Sequence, residues 1–297
     1  MSDYTSVEAI SGLLNEKRDA FMTGLTMSLG DELASFEVTV EPIANRVITQ
    51  ALPPSQYQEH TRGQDVVTEE VRKGYETTFQ LFTFAYGVAL TALARRTIKP
   101  EMFARFLQNM GMMSGQALAQ VGVDVIYNDA WAENWSDGVP LVSNSHPSNV
   151  GLQDNLLAST LDHAGLAAAE LMLLDELGPD GQKLGTRPVE LMVPTALKHI
   201  GMQVVSPAVL VPSAGATSWA VPNPTSGLVP VKVMHTLTSA TRSFLRGAGF
   251  RPQIIIADPS EPVVKSQPGT KNDIKIIDEW TILAGTHDWR GVIGIGA

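Results

Sequence analysis

The chain has 297 residues and a formal net charge of −10, from 21 Lys and Arg against 31 Asp and Glu. With 44% hydrophobic and 18% charged residues it can bury a core, which excludes disorder by composition, and its length suits one large domain or two lobes. The absence of any Cys excludes a disulfide scaffold, a Cys-ligated zinc site, an iron–sulfur cluster and a thiol nucleophile, and the acidic balance argues against dispersed binding to a phosphate backbone.

The amino terminus, Met1-Ser2-Asp3-Tyr4, has no basic segment followed by an apolar core, so it does not read as a secretory signal. No apolar run reaches the roughly 18 residues of a membrane span. The expectation is a chain made and used on the cytoplasmic side, with no membrane partner. Asn134-Trp135-Ser136 is then a chance sequon. Charge is uneven, −8 over residues 1–150 and −2 over 151–297, which suggests two functional halves.

In chain order, Ser6 to Leu25 carries Val7, Ile10, Leu13, Leu14, Phe21 and Met22 at helical spacing between charged residues. This amphipathic helix has two readings: it packs on its own domain, or it is an arm that docks on a neighbour. Phe36 to Val40 alternates as a half-buried strand does, and Asn45 to Leu52 reads as extended until Pro53-Pro54 stops it. Residues 55–72 are strongly polar and precede the strand-like run Thr77 to Leu90. A polar excursion of that length is usually functional or disordered. A projecting hairpin with its partner on another chain accounts for it.

Lys99-Pro100-Glu101 is a helix start. Phe103, Phe106, Leu107, Met110, Met113, Ala117, Val121 and Val125 then predict a helix from Pro100 to about Asn128, about 43 Å long at 1.5 Å per residue. Gly111, Gly115 and Gly122 weaken it, so a close backbone approach or a bend is expected there. A second helix is expected from about Asp162 to Leu177, capped by Thr160 or Asp162 and ended by Gly178-Pro179-Asp180-Gly181. Val189 to Val193 reads as a buried strand, and Pro194 opens a third helix to about Val204. Ser206 to Gly227 is a Ser/Pro/Gly/Ala-rich loop. Val229 to Leu237, Gln253 to Ala257, Asp273 to Leu283 and Trp289 to Ile295 read as strands. The class is α+β.

Enzyme signatures are scarce. There is no G-x-x-x-x-G-K-[ST], no G-x-S-x-G and no H-E-x-x-H. The six histidines share no ligand spacing, and neither Asp162-His163 nor His287-Asp288 forms a dyad by itself, because adjacent side chains diverge. No catalytic, cofactor-binding or metal-ligating residue is assigned, and no cofactor is expected. Arg95-Arg96 and the stretch Arg242, Arg246, Arg251 read as solvated, with phosphate contact as the second reading.

One segment is more specific. Asp137-Gly138-Val139-Pro140-Leu141-Val142-Ser143-Asn144-Ser145-His146-Pro147 resembles the D-G-x-x-L-x-S-x-x-H-P segment of major head proteins of tailed bacteriophages, and it follows a long helix as it does there. Asn155-Leu156-Leu157, the turn Asp180-Gly181, the R-P-x-x-L-x-V-P step at Arg187 to Pro194 and the closing Asp288-Trp289-Arg290-Gly291-Val292 match in the same order. These pieces span about residues 79–297; residues 1–78 match only in kind.

The resemblance implies a Hong Kong 97-like capsid fold. Residues 1–35 would be an N-terminal arm, with Val7, Ile10, Leu14 and Phe21 on a neighbouring subunit. Residues 36–90 would hold the extended E-loop hairpin and adjoining peripheral-domain strands, its tip contacting a neighbour through Gln56, Tyr57, Glu59, Arg62, Asp65, Glu69, Glu70 and Arg72. Residues 91–130 would be the peripheral domain with the spine helix, 131–260 mainly the axial domain, and 261–297 strands returning to the peripheral domain. Ser213, Trp219 and Asn223 would lie in the axial loop, and Arg95, Arg96 and Arg105 are candidates for an inward-facing basic patch.

Such a subunit would assemble into hexamers and pentamers of an icosahedral head around double-stranded DNA, in a virion assembled in the bacterial cytoplasm. Portal and scaffolding proteins would be partners, with a decoration or cement protein as a further candidate. The first Lys after Glu41 is Lys73, so no isopeptide cross-link is expected from the hairpin tip. An intact Met1 favours a separate scaffolding protein. The alternatives are an encapsulin-like nanocompartment shell around a cargo enzyme and, more remotely, an α+β hydrolase.

Overall fold

The structure, a computed structural model, describes residues 18–28, 32–41, 47–51, 73–91, 97, 99–148, 150–179, 181–206, 209–210, 221–258, 263–266 and 274–296. In chain order the elements are helix α1 (Arg18–Ser28), strands β1 (Glu37–Val40), β2 (Val47–Ala51), β3 (Lys73–Thr78) and β4 (Gln80–Leu90), helix α2 (Pro100–Val123), a π-turn (Asp124–Asn128), β5 (Leu156–Leu157), α3 (His163–Asp175) and β6 (Pro188–Pro194). Then come a 3₁₀ turn (Thr195–Leu197), α4 (Lys198–Val205), β7 (Val209–Leu210), β8 (Val221–Pro222), β9 (Val231–Met234), β10 (Ser243–Gly247), β11 (Pro252–Asp258), β12 (Val263–Ser266), β13 (Ile274–Thr286) and β14 (Val292–Ile295).

The chain divides into two compact units. The first gathers Met1–Arg46, Phe79–Gly122 and Pro252–Gly285. Its five-stranded sheet runs β1-β11-β13-β12, with β4 also on β13. β1 lies parallel to β11, and β4 runs antiparallel to β13 from Ile274↔Leu90 to Ala284↔Gln80. Ile276, Trp280 and Ile282 of β13 are buried, as are Phe103, Leu107 and Met110 of α2. Ser114 of α2 donates to the buried Asp278 carboxylate of β13.

Gly111 inside the long helix has the expected cause, a close backbone approach. A Cβ on Gly111 would overlap the Phe21 carbonyl oxygen of α1 and stand 2.9 Å from the Leu25 nitrogen. From the other side, a Cβ on Gly24 would overlap the Gln108 carbonyl oxygen. The two helices therefore cross backbone to backbone. Phe21 is fully buried there, so it corrects the expectation that it reaches a neighbouring subunit: its own helix pair covers it.

The second unit gathers Val47–Thr78, Val123–Arg251 and Thr286–Ala297. β2 and β3 form an antiparallel hairpin with Val47 opposite Thr78. The main sheet has the order β5-β14-β10-β6-β9. β14–β10 and β10–β6 are antiparallel, and β5–β14 and β6–β9 are parallel. α3 packs over the β5-β14-β10 end of this sheet and α4 over the β6-β9 end. Between helices and sheet lie Leu166, Ala169, Leu173, Leu191, Val193, Val204, Leu245, Ile293 and Ile295. Each Leu, Val or Ile among them contributes about 1.5–3 kcal/mol of burial. The opposite face carries Phe244, against which Tyr127 of the π-turn packs edge-on at 4.9 Å and Trp131 at 4.9 Å.

Two strands bear on the boundaries that the resemblance implies. β11, within the stretch assigned to the axial domain, pairs with β1 in the first unit. β14, within the stretch expected to return to the peripheral domain, lies in the second unit's sheet between β5 and β10. The last two strands thus belong to different sheets, because the turn after Thr286 separates them.

Candidate functional site

The D-G-x-x-L-x-S-x-x-H-P segment builds a buried clasp, and most of its fixed letters have a role. Gly138 takes φ +85°, closing a turn in which Trp135 N–H reaches Val139 O. Leu141 is fully buried. Ser143 Oγ accepts the Ser145 N–H. His146 is completely buried, its ring nitrogen Nδ1 2.6 Å from Asp137 Oδ2 and Nε2 3.1 Å from Asn155 Oδ1. Asn155 Nδ2 donates to Leu141 O (2.8 Å) and Val292 O (3.2 Å), which assigns its oxygen as the acceptor for His146 Nε2–H and for the Ser143 N–H (2.8 Å). One proton then lies in the short Asp137–His146 bond. The imidazole stacks on Trp289 at 3.9 Å and 9°. The segment is stitched to the final strand through Asn155 and to the closing D-W-R-G turn through this stack.

That turn is held from the other side. Gly291, at φ +86°, donates its N–H to both Glu176 oxygens (2.9 and 3.0 Å). A Cβ there would press to 2.7 Å of the Phe250 nitrogen, so glycine is required on two counts. Arg290 Nε donates to Leu177 O, and its guanidinium reaches both Asp288 oxygens and lies 4.7 Å from the Trp289 ring centroid. Burial pushes the Glu176 carboxyl up to about 7; Asp288 adds to the rise, while the Gly291 N–H, Arg290 and Thr186 oppose it. The Asp–His pair has the elements of an acid–base dyad, but both ring nitrogens are committed and the ring is stacked. Its chemistry is structural. Among the described residues no group of three His, Cys, Asp or Glu could hold a metal ion.

Asn128 closes the π-turn with its full hydrogen-bonding capacity. Its Nδ2 donates to Asp124 Oδ1 (2.6 Å) and Thr236 O (3.1 Å), and its Oδ1 lies 2.9 Å from Thr238 N and 3.1 Å from Thr238 Oγ1. Two arginines weighed for phosphate contact are engaged internally: Arg242 lies over Trp131 at 4.6 Å, and Arg246 pairs with Glu190 at 2.9 Å.

The residues expected at subunit contacts divide sharply. The hairpin-tip set Gln56, Tyr57, Glu59, Arg62, Asp65, Glu69, Glu70 and Arg72 lies outside the described residues, as do Val7, Ile10, Leu14, Ser213, Trp219, Arg95 and Arg96. Arg105 is exposed on α2. Asn223, expected in the axial loop, is buried, donating to Val204 O and accepting from Thr225 N, so it ties the end of the 206–227 segment to α4. Sequence reading missed the exposed apolar residues Leu81, Phe84 and Tyr86 on β4 and Leu171 and Leu174 on α3. For Leu171 and Leu174 the signal was in the composition of α3, where Glu170 is the one charged residue from Ala164 to Leu174.

Residues 74–295 match the family described as phage capsid protein. This chain belongs to that family. The capsid chain is a shell-forming structural protein, and the capsid of a virion is its place. Solved phage capsids share its fold. Against the Mycobacterium phage Patience structure the TM-score is 0.56 at 12% identity, covering 96% of this chain and 87% of that one. For Microbacterium phage Oxtober96 the TM-score is 0.55 at 9% identity, covering 90% of each chain. For the bacteriophage JBD30 capsid it is 0.50 at 11% identity, covering 89% of this chain; the capsid chain spans 64% of the JBD30 chain. No curated protein matches by sequence. The fold is the Hong Kong 97-like α+β fold expected from the motif order.

Proposed function

We propose that this chain is the major head subunit of a tailed bacteriophage, and that copies of it form hexamers and pentamers of an icosahedral shell around double-stranded DNA. The observation that carries the reading is the capsid-family match over residues 74–295. The first structural unit then corresponds to the peripheral domain, with α2 as its spine helix, and the second mainly to the axial domain. The β2–β3 hairpin is the base of the E-loop, whose tip contacts a neighbour. Portal and scaffolding proteins complete the assembly, in the bacterial cytoplasm. A solved JBD30 capsid is decorated with minor capsid protein trimers, and a decoration protein is a corresponding partner here. The subunit's role is mechanical and has no catalytic step.

The physical logic is additive. Each contact between copies is weak, but many identical contacts close a shell whose stability is inseparable from assembly. A net charge of −10 per subunit keeps the wall from holding packaged duplex tightly.

The test is negative-stain electron microscopy and size-exclusion mass of the full chain, alone and with its scaffolding protein. Shells, or rings of five and six, are expected. A monomer under both conditions overturns the reading. Purified particles that carry one bound protein in place of nucleic acid favour the nanocompartment.

A further inference from the structure

The first unit's sheet has two side edges of opposite character. At one, β1 has four residues and carries Glu37. At the other, β4 has eleven, reading Gln-Leu-Phe-Thr-Phe-Ala-Tyr-Gly-Val-Ala-Leu, with no charge and no Pro. It follows β13 from Ile274↔Leu90 to Ala284↔Gln80 without a bulge, and among the described residues it pairs with no other strand. Short length, charge, Pro and bulges are the devices that keep an edge from pairing with another chain. β4 has none of them.

Its side chains are bare as well. Tyr86 is 45% and Phe84 37% exposed, although they stand opposite Asp278 and Trp280, both buried, in the ladder. Phe82 stacks beside Phe84 at 6.3 Å. Ser114 of α2 bonds Asp278, so the helix lies over β13 and leaves the outermost strand uncovered. On the other face of β4, Leu81, Thr83, Ala85, Gly87 and Ala89 are exposed.

We infer that β4 pairs antiparallel with β4 of a second copy of this chain across a two-fold axis at Ala85, joining two five-stranded sheets into one. The inference rests on the shell-forming reading above. An eleven-residue edge calls for a partner of similar length. Among the described strands only β13 is as long, and it has β4 on one edge and β11 and β12 on the other. The remaining strands have seven residues or fewer. The strand that fits β4 is another β4. Charge agrees with this choice. Copies with a net charge of −10 repel one another, and like charges placed opposite each other destabilise a strand pair. β4 meets itself without any. A self-complementary edge makes an isologous contact, which lies on a two-fold axis, and an icosahedral shell has such axes. Full overlap of the two strands centres on Ala85. Phe84 then faces Tyr86 twice and Phe82 faces Val88, so each aromatic residue gains a cross-strand partner.

The absence of Cys makes the test clean. Single-Cys variants are assembled with the scaffolding protein, and the purified particles are treated with a short bismaleimide cross-linker. Ala85→Cys meets its own copy with Cβ atoms about 4.5–5.5 Å apart, so a covalent dimer on a denaturing gel is expected. Leu81→Cys lies four residues from the axis, about 27 Å from its copy at 3.4 Å per residue, and should stay monomeric. Leu81→Cys co-expressed with Ala89→Cys, which faces it, should give dimer again. Intact particles that yield only monomer from Ala85→Cys and from the Leu81→Cys and Ala89→Cys mixture overturn the strand pair and leave the shell reading in place. If the unaltered chain forms no particle with its scaffolding protein present, the shell reading fails and the contact falls with it. A second arm guards the edge with charge. Ala85→Lys and Thr83→Lys, both at exposed positions, should cut particle yield several-fold while the thermal unfolding of the unassembled chain stays unchanged. Unaltered yield from both variants also refutes the contact.

Discussion

Replacing Gly111 by Ala is the sharpest test of the α1–α2 crossing, because two physical effects oppose each other there. In an open helix the change stabilises by about 1 kcal/mol, since Gly is the poorer helix former. Here the added methyl overlaps the Phe21 carbonyl oxygen and stands 2.9 Å from the Leu25 nitrogen. Both are backbone atoms, so no side-chain rotation relieves the overlap. The helices must separate, and separation opens the packing around Phe21, Leu107 and Met110, all buried. Overpacking of this kind costs about 1–3 kcal/mol or more. After the propensity gain is deducted, a net loss of up to about 2 kcal/mol is expected. Gly24→Ala attacks the same crossing from the other helix, against the Gln108 carbonyl. Once one methyl has pushed the helices apart, the second should cost less, so the double variant should fall short of the sum. Urea unfolding of the unassembled chain, followed by circular dichroism, measures all three. A Gly111→Ala variant that is more stable than the parent by about 1 kcal/mol refutes the close crossing.

Other expectations follow from the clasp and its neighbours. His146→Ala leaves the Asp137 carboxylate buried without its partner and Asn155 Oδ1 short of a donor; a loss of about 3 kcal/mol or more is expected, whereas Asp137→Asn keeps a hydrogen-bonding group and should cost less. Thermal unfolding separates the two, and equal small shifts would contradict the clasp. Glu176 has a folded pKa near 7, above its ordinary 4.5, so its contribution to stability is present at acid pH and is lost as pH rises through 7. Compared with Glu176→Gln, the parent should lose ground between pH 5 and pH 8 by up to about 3 kcal/mol; a difference independent of pH would show that the carboxyl titrates normally. Asn128→Ala removes the bonds from its side chain to Thr236 and Thr238 and should cost about 1–3 kcal/mol, with hydrogen exchange of the Thr238 amide rising in parallel.

Local order was legible wherever one segment carried its own signal. The Pro100 start, the three-and-four spacing through Val121 and Gly111 on the α1 side announced α2 and its close neighbour. Asp162 was named as a cap, and it accepts the Gly165 N–H at 2.6 Å. β10 was not legible. Phe244 and Leu245 are both buried, so no alternation marks the strand, and Arg246 read as a solvated cation because its partner Glu190 lies on another strand. The clasp was legible as a pattern of letters but not as a contact, since Asp137, His146 and Asn155 meet Trp289 and Val292 far along the chain.

The sequence by itself determined the local elements, the caps and turns, and, through the order of its motifs, the capsid family. These depend on residues a few positions apart, whose spacing is the physics of a helix turn or a strand pleat. Tertiary structure alone decided that β13 and β14 enter different sheets, that Phe21 is an interior residue and that the outer face of α3 is left bare. Each of those outcomes is a competition among distant partners for the same buried surface, and no window of sequence contains the competitors.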